Sequence, residues 1–134
     1  LVMENALRCA KITIEDIDHI NVHGTSTPLG DKSEIKAIEN VFGNHAEKIS
    51  ICSTKSMTGH LLGAAGAIES IAAIISINES FIPPTINHFN HDEEINRKLN
   101  LTLNKYQSRD VNVAMSNTFG FGGHNTSIVF KKYN

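Results

Sequence analysis

Residues 61–77 constrain this chain more than any other stretch: they are nearly all apolar or small, and Glu69 is their one charge. By length alone the run could be mistaken for a membrane span. Gly63, Gly66, Ser70 and Glu69 within it point instead to a helix buried inside a protein. Apolar residues lie around its whole circumference, so such a helix has to be covered on all sides. The rest of the chain has material for this. At 134 residues, 40% hydrophobic and 19% charged, it suits one compact unit with a real core. A formal net charge of -2 without a basic block argues against nucleic acid as the main partner. Two cysteines without regular spacing suggest neither a disulfide framework nor a zinc site, and suit a reducing compartment. The start, Leu1-Val2-Met3-Glu4-Asn5, has no basic segment and no long apolar run, so no signal peptide is expected. It also lacks an initiating Met, and the chain is expected to be part of a longer polypeptide.

Strand and helix patterns alternate along the chain. Val2, Ala6, Leu7 and Ala10 recur at helical spacing. Thr13-Ile14-Glu15-Asp16 reads as a helix start, with Thr13 as cap and Asp16 three residues on. Residues 18–23 read as a buried strand, followed by a turn at Pro28-Leu29-Gly30. Asp31 then caps a helix that carries Ile35, Ile38, Val41 and Phe42 on one face and ends at Gly43. Residues 49–52 read as a short strand. Ile82-Pro83-Pro84-Thr85 suits an edge strand or turn, because proline cannot donate to a ladder. Residues 87–110 are polar and rich in Asn, and read as a surface connection with one short strand near Leu101-Thr102-Leu103. Residues 111–116 and 126–131 alternate as strands, the second with Ile128 and Phe130 on one side. Such alternation implies an α/β layered fold with a largely parallel or mixed sheet.

Three polar or glycine-rich clusters each follow a strand. They are His23-Gly24-Thr25-Ser26-Thr27, then Ser53-Thr54-Lys55-Ser56-Met57-Thr58-Gly59-His60, then residues 117–125. Parallel strands bring their C-terminal ends to one edge, where α/β folds build sites. Two histidines, a lysine and a glycine-rich loop would then converge, unless the third strand runs antiparallel. On spacing alone the bland alternatives stay open. His23 equally suits a hydrogen-bonded structural histidine. Lys55 and His60 suit a solvated loop, and the glycine-rich segment a plain hairpin turn. No third ligand stands at metal spacing from the two histidines. Cys9 and Cys52 read as small core residues, and neither stands at a helix N-terminus where a thiolate is favoured.

The clusters become specific when read at length. The run His23-Gly24-Thr25-Ser26-Thr27-Pro28-Leu29-Gly30-Asp31 resembles the first-histidine motif of the β-ketoacyl-[acyl-carrier-protein] synthases I and II. Residues 55–66, from Lys55 through His60 to Gly66, resemble their lysine and second-histidine motif, and residues 117–125 their glycine-rich gate. Order and approximate spacing match as well, from the first residue to the last. Ser26 distinguishes the chain from polyketide ketosynthases, which usually carry Gly there. The initiating class of synthase uses one histidine and one asparagine, and thiolases lack the motif pair.

The resemblance implies fold, chemistry and company. The fold would be a thiolase-like αβαβα layered sandwich, with residues 1–134 forming the C-terminal half-fold around a mixed five-stranded sheet and the N-terminal half absent. The activity would be decarboxylative Claisen condensation of acyl-ACP with malonyl-ACP in fatty acid elongation. His23 and His60 would donate to the malonyl thioester oxygen, with Lys55 beside them and Glu69 as its partner. The backbone of Phe121 would help hold the second oxyanion, and its side chain resembles a gatekeeper. Thr25, Thr27, Phe119, Gly120 and Gly122 would lie along the substrate path. The family's nucleophilic cysteine belongs to the preceding half, and no residue here matches its context. No cofactor is required, although Asn21, Glu69, Ser116 and Asn117 match positions that hold a monovalent cation (K or Na) in some members. Acyl carrier protein is the implied partner, in a homodimer without nucleic acid or membrane insertion, in the bacterial cytoplasm or a plastid-type organelle. Two rival readings are a non-catalytic partner subunit resembling chain-length factors and a ketosynthase domain of a polyketide synthase.

Overall fold

The computed structural model describes residues 1–133. Its strands are β1 (His19–Asn21), β2 (Ser50–Cys52), β3 (Phe81–Ile82), β4 (Gln107–Ser108), β5 (Val113–Phe119) and β6 (Asn125–Lys131). Its α-helices are α1 (Val2–Ala10), α2 (Pro28–Phe42), α3 (Lys55–Thr58) and α4 (Ala65–Glu79). The main sheet is mixed and four-stranded, in the order β2-β1-β5-β6. Here β1 runs parallel to both β2 and β5, with Ile20 opposite Ile51 on one side and Met115 on the other. Strand β6 returns antiparallel along the full length of β5, from Val113↔Lys131 to Phe119↔Asn125.

The sheet is one strand smaller than the five expected. β3 and β4 form a separate two-stranded ladder, and the stretch around Leu101–Leu103 makes only isolated bridges, Ser50↔Asn100 and Thr85↔Leu103. Pro83 and Pro84 supply no N–H after β3, and Thr102 and Asn104 adopt left-handed φ of 46° and 59°. Neither stretch can therefore extend a ladder.

The two sheet faces carry separate cores. On one face α1 and α2 pack Met3, Leu7, Ile38 and Phe42 against Ile20, Ile51 and Met115. On the other, Ala73 and Ile77 of α4 meet Cys52, Ala114 and Ile82. This yields an αβα stack, built by the period-2 alternation of each strand. The buried stripe of α1 is Met3 and Leu7, and Cys9 is exposed rather than a core residue. Two residues past Leu7 a helix has turned about 200°, which carries Cys9 to the far side.

Helix α2 starts earlier than expected. Thr27 is its N-cap residue and Pro28 its first residue, where the missing N–H costs nothing, so Pro28-Leu29-Gly30 is its first turn. Asp31 sits within that turn and accepts the Ser26 N–H at 3.1 Å instead of capping. The capping pair at Thr13 is present as expected. Asp16 accepts the Thr13 backbone N–H at 2.8 Å, although the element it starts is a short 3₁₀ turn.

Helix α4 lies in the apolar segment, preceded by a 3₁₀ turn at Leu62–Ala64. With that turn it is long and apolar enough to cross a membrane by length and composition. It packs instead along β5 and β1, burying Ala65, Glu69, Ala73, Ser76 and Ile77. Ile68, Ile71, Ile74 and Ile75 are exposed on its other side. The all-round cover that its composition demands is thus only half supplied within this chain.

Candidate active site

Because β1, β2 and β5 are parallel, the three polar clusters emerge at one edge of the sheet. His23 follows β1 after Val22, whose N–H still bonds Cys52 O at 2.8 Å. His60 lies between α3 and α4, and Phe119 ends β5. The His23 and His60 rings meet edge to face with centroids 5.5 Å apart at 84°. The Phe119 ring sits 5.5 Å from His23 on another side, tilted by 48°. Together with Thr25, Thr27, Gly120 and Phe121 these rings line a cleft of about 790 Å³. Gly122 does not line it.

The two histidines are held differently. The N–H of Leu62 donates to His60 Nδ1 at 3.1 Å, which leaves Nε2 to carry the proton of the neutral ring. His23 Nδ1 is buried without a hydrogen-bond partner. Burial first, then the charges of Lys55 and His60, push the His23 pKa down to about 4, so the ring is neutral at pH 7. Lys55 is buried at the start of α3 and forms an ion pair with the equally buried Glu69 of α4. Burial raises the Glu69 carboxyl above the usual carboxylate range, against the pull of that ammonium. Glu69 also accepts the Thr118 hydroxyl at 3.5 Å. Gly66 lets α4 come this close, since a Cβ there would stand 3.0 Å from Thr118 Oγ1.

The glycine-rich segment is shorter than expected. Asn117, Thr118 and Phe119 belong to β5, because β6 offers ladder partners as far as Asn125. What remains is a tip, Gly120–His124, closed by the Gly120 N–H donating to His124 O at 2.8 Å. Gly122 and Gly123 take φ of 78° and 81°, the left-handed region that glycine enters without cost. The Phe121 side chain is fully exposed at this tip.

The four residues matched to a cation site are all buried but do not converge as side chains. Asn21 and Ser116 pair across β1 and β5. Asn21 donates to Glu69 O at 3.4 Å, so this pair lies on the α4 side. Ser116 Oγ there has no partner. Asn117 is one residue further along the strand, so its side chain projects from the opposite face. There it donates to Glu34 at 3.1 Å and accepts from Ser127 at 2.7 Å. Glu69 is occupied by Lys55 and Thr118. As a set of side chains the four do not fit one ion.

Spacing missed Glu34. Its carboxylate is 4% exposed and accepts the N–H groups of His23 and Gly24, each at 3.0 Å. The signal was present, since Glu34 shares an i, i+4, i+8 stripe with Ile38 and Phe42, the buried residues of α2. A carboxylate within such a stripe demands buried donors. Ser53, the first residue of the second polar cluster, ties the two loops together, its hydroxyl donating to Gly24 O at 2.7 Å.

Comparison with known proteins gives the lineage. Residues 1–89 match the family model described as beta-ketoacyl synthase, C-terminal domain. The chain is 49% identical over 131 residues to a 3-oxoacyl-[acyl-carrier-protein] synthase 2 of Staphylococcus aureus, covering 98% of this chain and 31% of that protein. It thus spans about a third of the length of the curated relatives it matches. A solved beta-ketoacyl synthase from Burkholderia phymatum superposes with a TM-score of 0.90 at 37% identity, over 98% of this chain and 31% of that one. A chain from a complex of a type II polyketide acyl-carrier protein with its hexaketide-bound ketosynthase superposes at 0.93 and 36% identity, over 98% and 32%. The thiolase-like αβα layering, the motif order and these matches agree: the chain belongs to the β-ketoacyl synthase family, in the part described as its C-terminal domain.

Proposed function

We propose that this chain supplies the two-histidine part of a 3-oxoacyl-[acyl-carrier-protein] synthase, which elongates fatty acids by decarboxylative condensation of acyl-ACP with malonyl-ACP. One observation carries the reading: His23 and His60 meet at one cleft, with Nε2 of His60 the proton-bearing nitrogen and His23 kept neutral by burial and by Lys55. Two neutral N–H donors suit an oxygen that gains negative charge during reaction. The 49% identity to a synthase of that name supports the same assignment.

The acyl group is first held as a thioester on a cysteine outside this chain. In malonyl-ACP the bond to the carboxylate carbon breaks, releasing carbon dioxide (or bicarbonate after hydration). Its electron pair forms an enolate whose oxygen His23 and His60 hold. The enolate carbon then attacks the acyl carbon. A carbon–carbon bond forms, the carbon–sulfur bond breaks, and the cysteine leaves as thiolate. The backbone N–H of Phe121 serves the second oxyanion together with that of the cysteine. Thr25, Thr27, Phe119 and Gly120, which line the cleft, flank the path of the carrier arm. No step draws on a cofactor; a monovalent cation beside Asn21 would find Ser116 Oγ without a partner. The partner is acyl carrier protein and the assembly a homodimer in the bacterial cytoplasm. Neither nucleic acid nor membrane insertion is involved, and the inward pairing of Glu69 with Lys55 supports a helix α4 packed on the sheet.

The test uses the full-length enzyme, this chain joined to the two thirds that its relatives carry besides it. Carbon dioxide release from malonyl-ACP is measured beside acyl-cysteine formation. His23→Ala and His60→Ala should each slow decarboxylation roughly 10²–10³-fold and spare acyl loading. The double variant should cost less than the product, because both donors serve one oxygen. His60→Asn should be milder than His60→Ala. Equal loss in both steps, or unchanged decarboxylation in His23→Ala, overturns the reading.

A further inference from the structure

We propose that Glu34 is a positioning residue for His23: its carboxylate fixes where the strand-end histidine stands in the cleft. The inference rests on the histidine roles proposed above and names what holds one of them in place.

The need for such a residue is visible at the end of β1. Val22 makes the last ladder bond of the strand. The N–H groups of His23 and Gly24 point away from the sheet, and Glu34 receives both, on Oε1 and Oε2 respectively. The His23 ring itself is not tethered, because its Nδ1 has no partner. This contrasts with His60, whose Nδ1 takes the Leu62 N–H. The His23 ring therefore stands where its backbone and its ring neighbours put it.

Those neighbours answer to Glu34 too. The same carboxylate accepts from Asn117 Nδ2 at 3.1 Å. Asn117 stands two residues before Phe119, whose ring packs on His23. One side chain thus ties the His23 backbone, helix α2 and strand β5 at a single point. Packing from behind does not replace it. A second cavity of about 380 Å³ lies on the other side of the loop, and Gly24, Thr27, Asp31 and Glu34 line both cavities. The loop is a thin partition held by tethers.

Chemistry says the carboxylate is there for its two acceptors. Among the described residues Glu34 has no ion-pair partner within 4 Å; it takes three N–H donors and feels the Lys55 ammonium only at longer range. Burying a carboxylate without a directly paired cation is costly, and an apolar residue would continue the Ile38–Phe42 stripe. A glutamine would offer one oxygen and turn its own N–H groups toward a donor.

The test again uses the full-length enzyme, with Glu34→Gln, His23→Ala and the double variant. If Glu34 acts through His23, Glu34→Gln should slow decarboxylation about 10–100-fold at saturating malonyl-ACP, as misplacement by about 1 Å does. Acyl-cysteine formation should stay within about threefold and the melting temperature should be nearly kept. In the His23→Ala background the same change should add less than about threefold, since the group it positions is gone. If Glu34→Gln does not fold, Glu34→Asp carries the same test, with both acceptors kept on a stem too short to reach both N–H groups. Equal loss in the two partial reactions, or losses that multiply with those of His23→Ala, would overturn the inference. Unchanged decarboxylation in His23→Ala alone would instead sink the histidine reading beneath it.

Discussion

Breaking the Lys55–Glu69 pair should produce two stability penalties with opposite pH slopes. Both side chains are buried, 5% and 3% exposed, so a charge left alone cannot simply turn to water. The cheapest escape is neutralisation in place, and ordinary pKa values cap its cost. Deprotonating a lysine at pH 7 from about 10.4 costs about 5 kcal/mol, and protonating a glutamate from about 4.3 costs about 4 kcal/mol. Removing one partner of a buried pair typically costs 3–5 kcal/mol, in the same range. Glu69→Gln should therefore destabilise by up to about 5 kcal/mol at pH 7. In that variant the folded state binds fewer protons than the unfolded one, so its stability rises with pH. The penalty should shrink by about 1.4 kcal/mol for each unit above pH 7. Lys55→Met leaves a folded state that binds an extra proton, and its penalty of up to about 4 kcal/mol should shrink as pH falls from 7 to 5. Lys55→Met combined with Glu69→Leu should recover most of either loss. Denaturant midpoints of the full-length enzyme at pH 6, 7 and 8 read all of this. Penalties below about 1 kcal/mol with parallel pH dependence would mean that the pair is wet, and the reasoning from burial would fail.

Other expectations follow from single contacts. His19 is wholly buried with its Nδ1 on Ser50 O at 2.8 Å, and burial pushes its pKa down to about 4. An imidazole that titrates at 6.5 unfolded and near 4 folded contributes stability that is present above pH 6.5 and lost as pH falls toward 4. About 2 kcal/mol should disappear between pH 7 and 5 from this residue; ring NMR showing His19 protonated at pH 6 would refute it. Gly24→Ala should destabilise by about 1–3 kcal/mol and disturb the His23 loop. The reason is that its Cβ would meet Ser53 Cβ and Val22 Cγ2 at 2.9 Å with φ at +27°. An unchanged melting temperature would show that the loop yields. The 134-residue chain by itself should bind an apolar dye and lack a sharp melt, because Ile68, Ile71, Ile74 and Ile75 face outward from α4. A cooperative melt of a dye-silent monomer would contradict this.

Much of the site was legible from sequence because its logic is local or is forced by chemistry. Polar clusters beginning at His23, Ser53 and Asn117 sit where apolar runs give way, and parallel pairing brings all three to one edge. The Lys55–Glu69 pair was legible because Glu69 is the sole charge of the apolar residues 61–77 and Lys55 the nearby cation able to match it. What escaped depends on partners remote in sequence. The end of β5 was set by β6, so the polar Asn117–Phe119 stretch looked like loop. The side-chain face of Asn117 depends on strand alternation, and it was hidden because the expected strand stops at residue 116 while β5 runs on to Phe119. The fifth strand failed because residues near Leu103 find only single bridges, not a ladder. Glu34 was passed over because its role exists only once α2 has folded back under the end of β1.

The neck of the glycine-rich loop has a consequence for timing. β5 and β6 are paired right up to Phe119 and Asn125, and the Gly120 N–H closes the loop onto His124 O. Swinging Phe121 therefore breaks no ladder; it needs new dihedrals only at a few glycine-rich positions. Short tips of this kind move in nanoseconds to microseconds, while typical turnovers take about a millisecond to a second. If Phe121 acts as the gatekeeper that its resemblance implies, a gate on such a stem would open and close many times during each turnover. It would sort acyl chains by how long it dwells in each position, not by the speed of its swing.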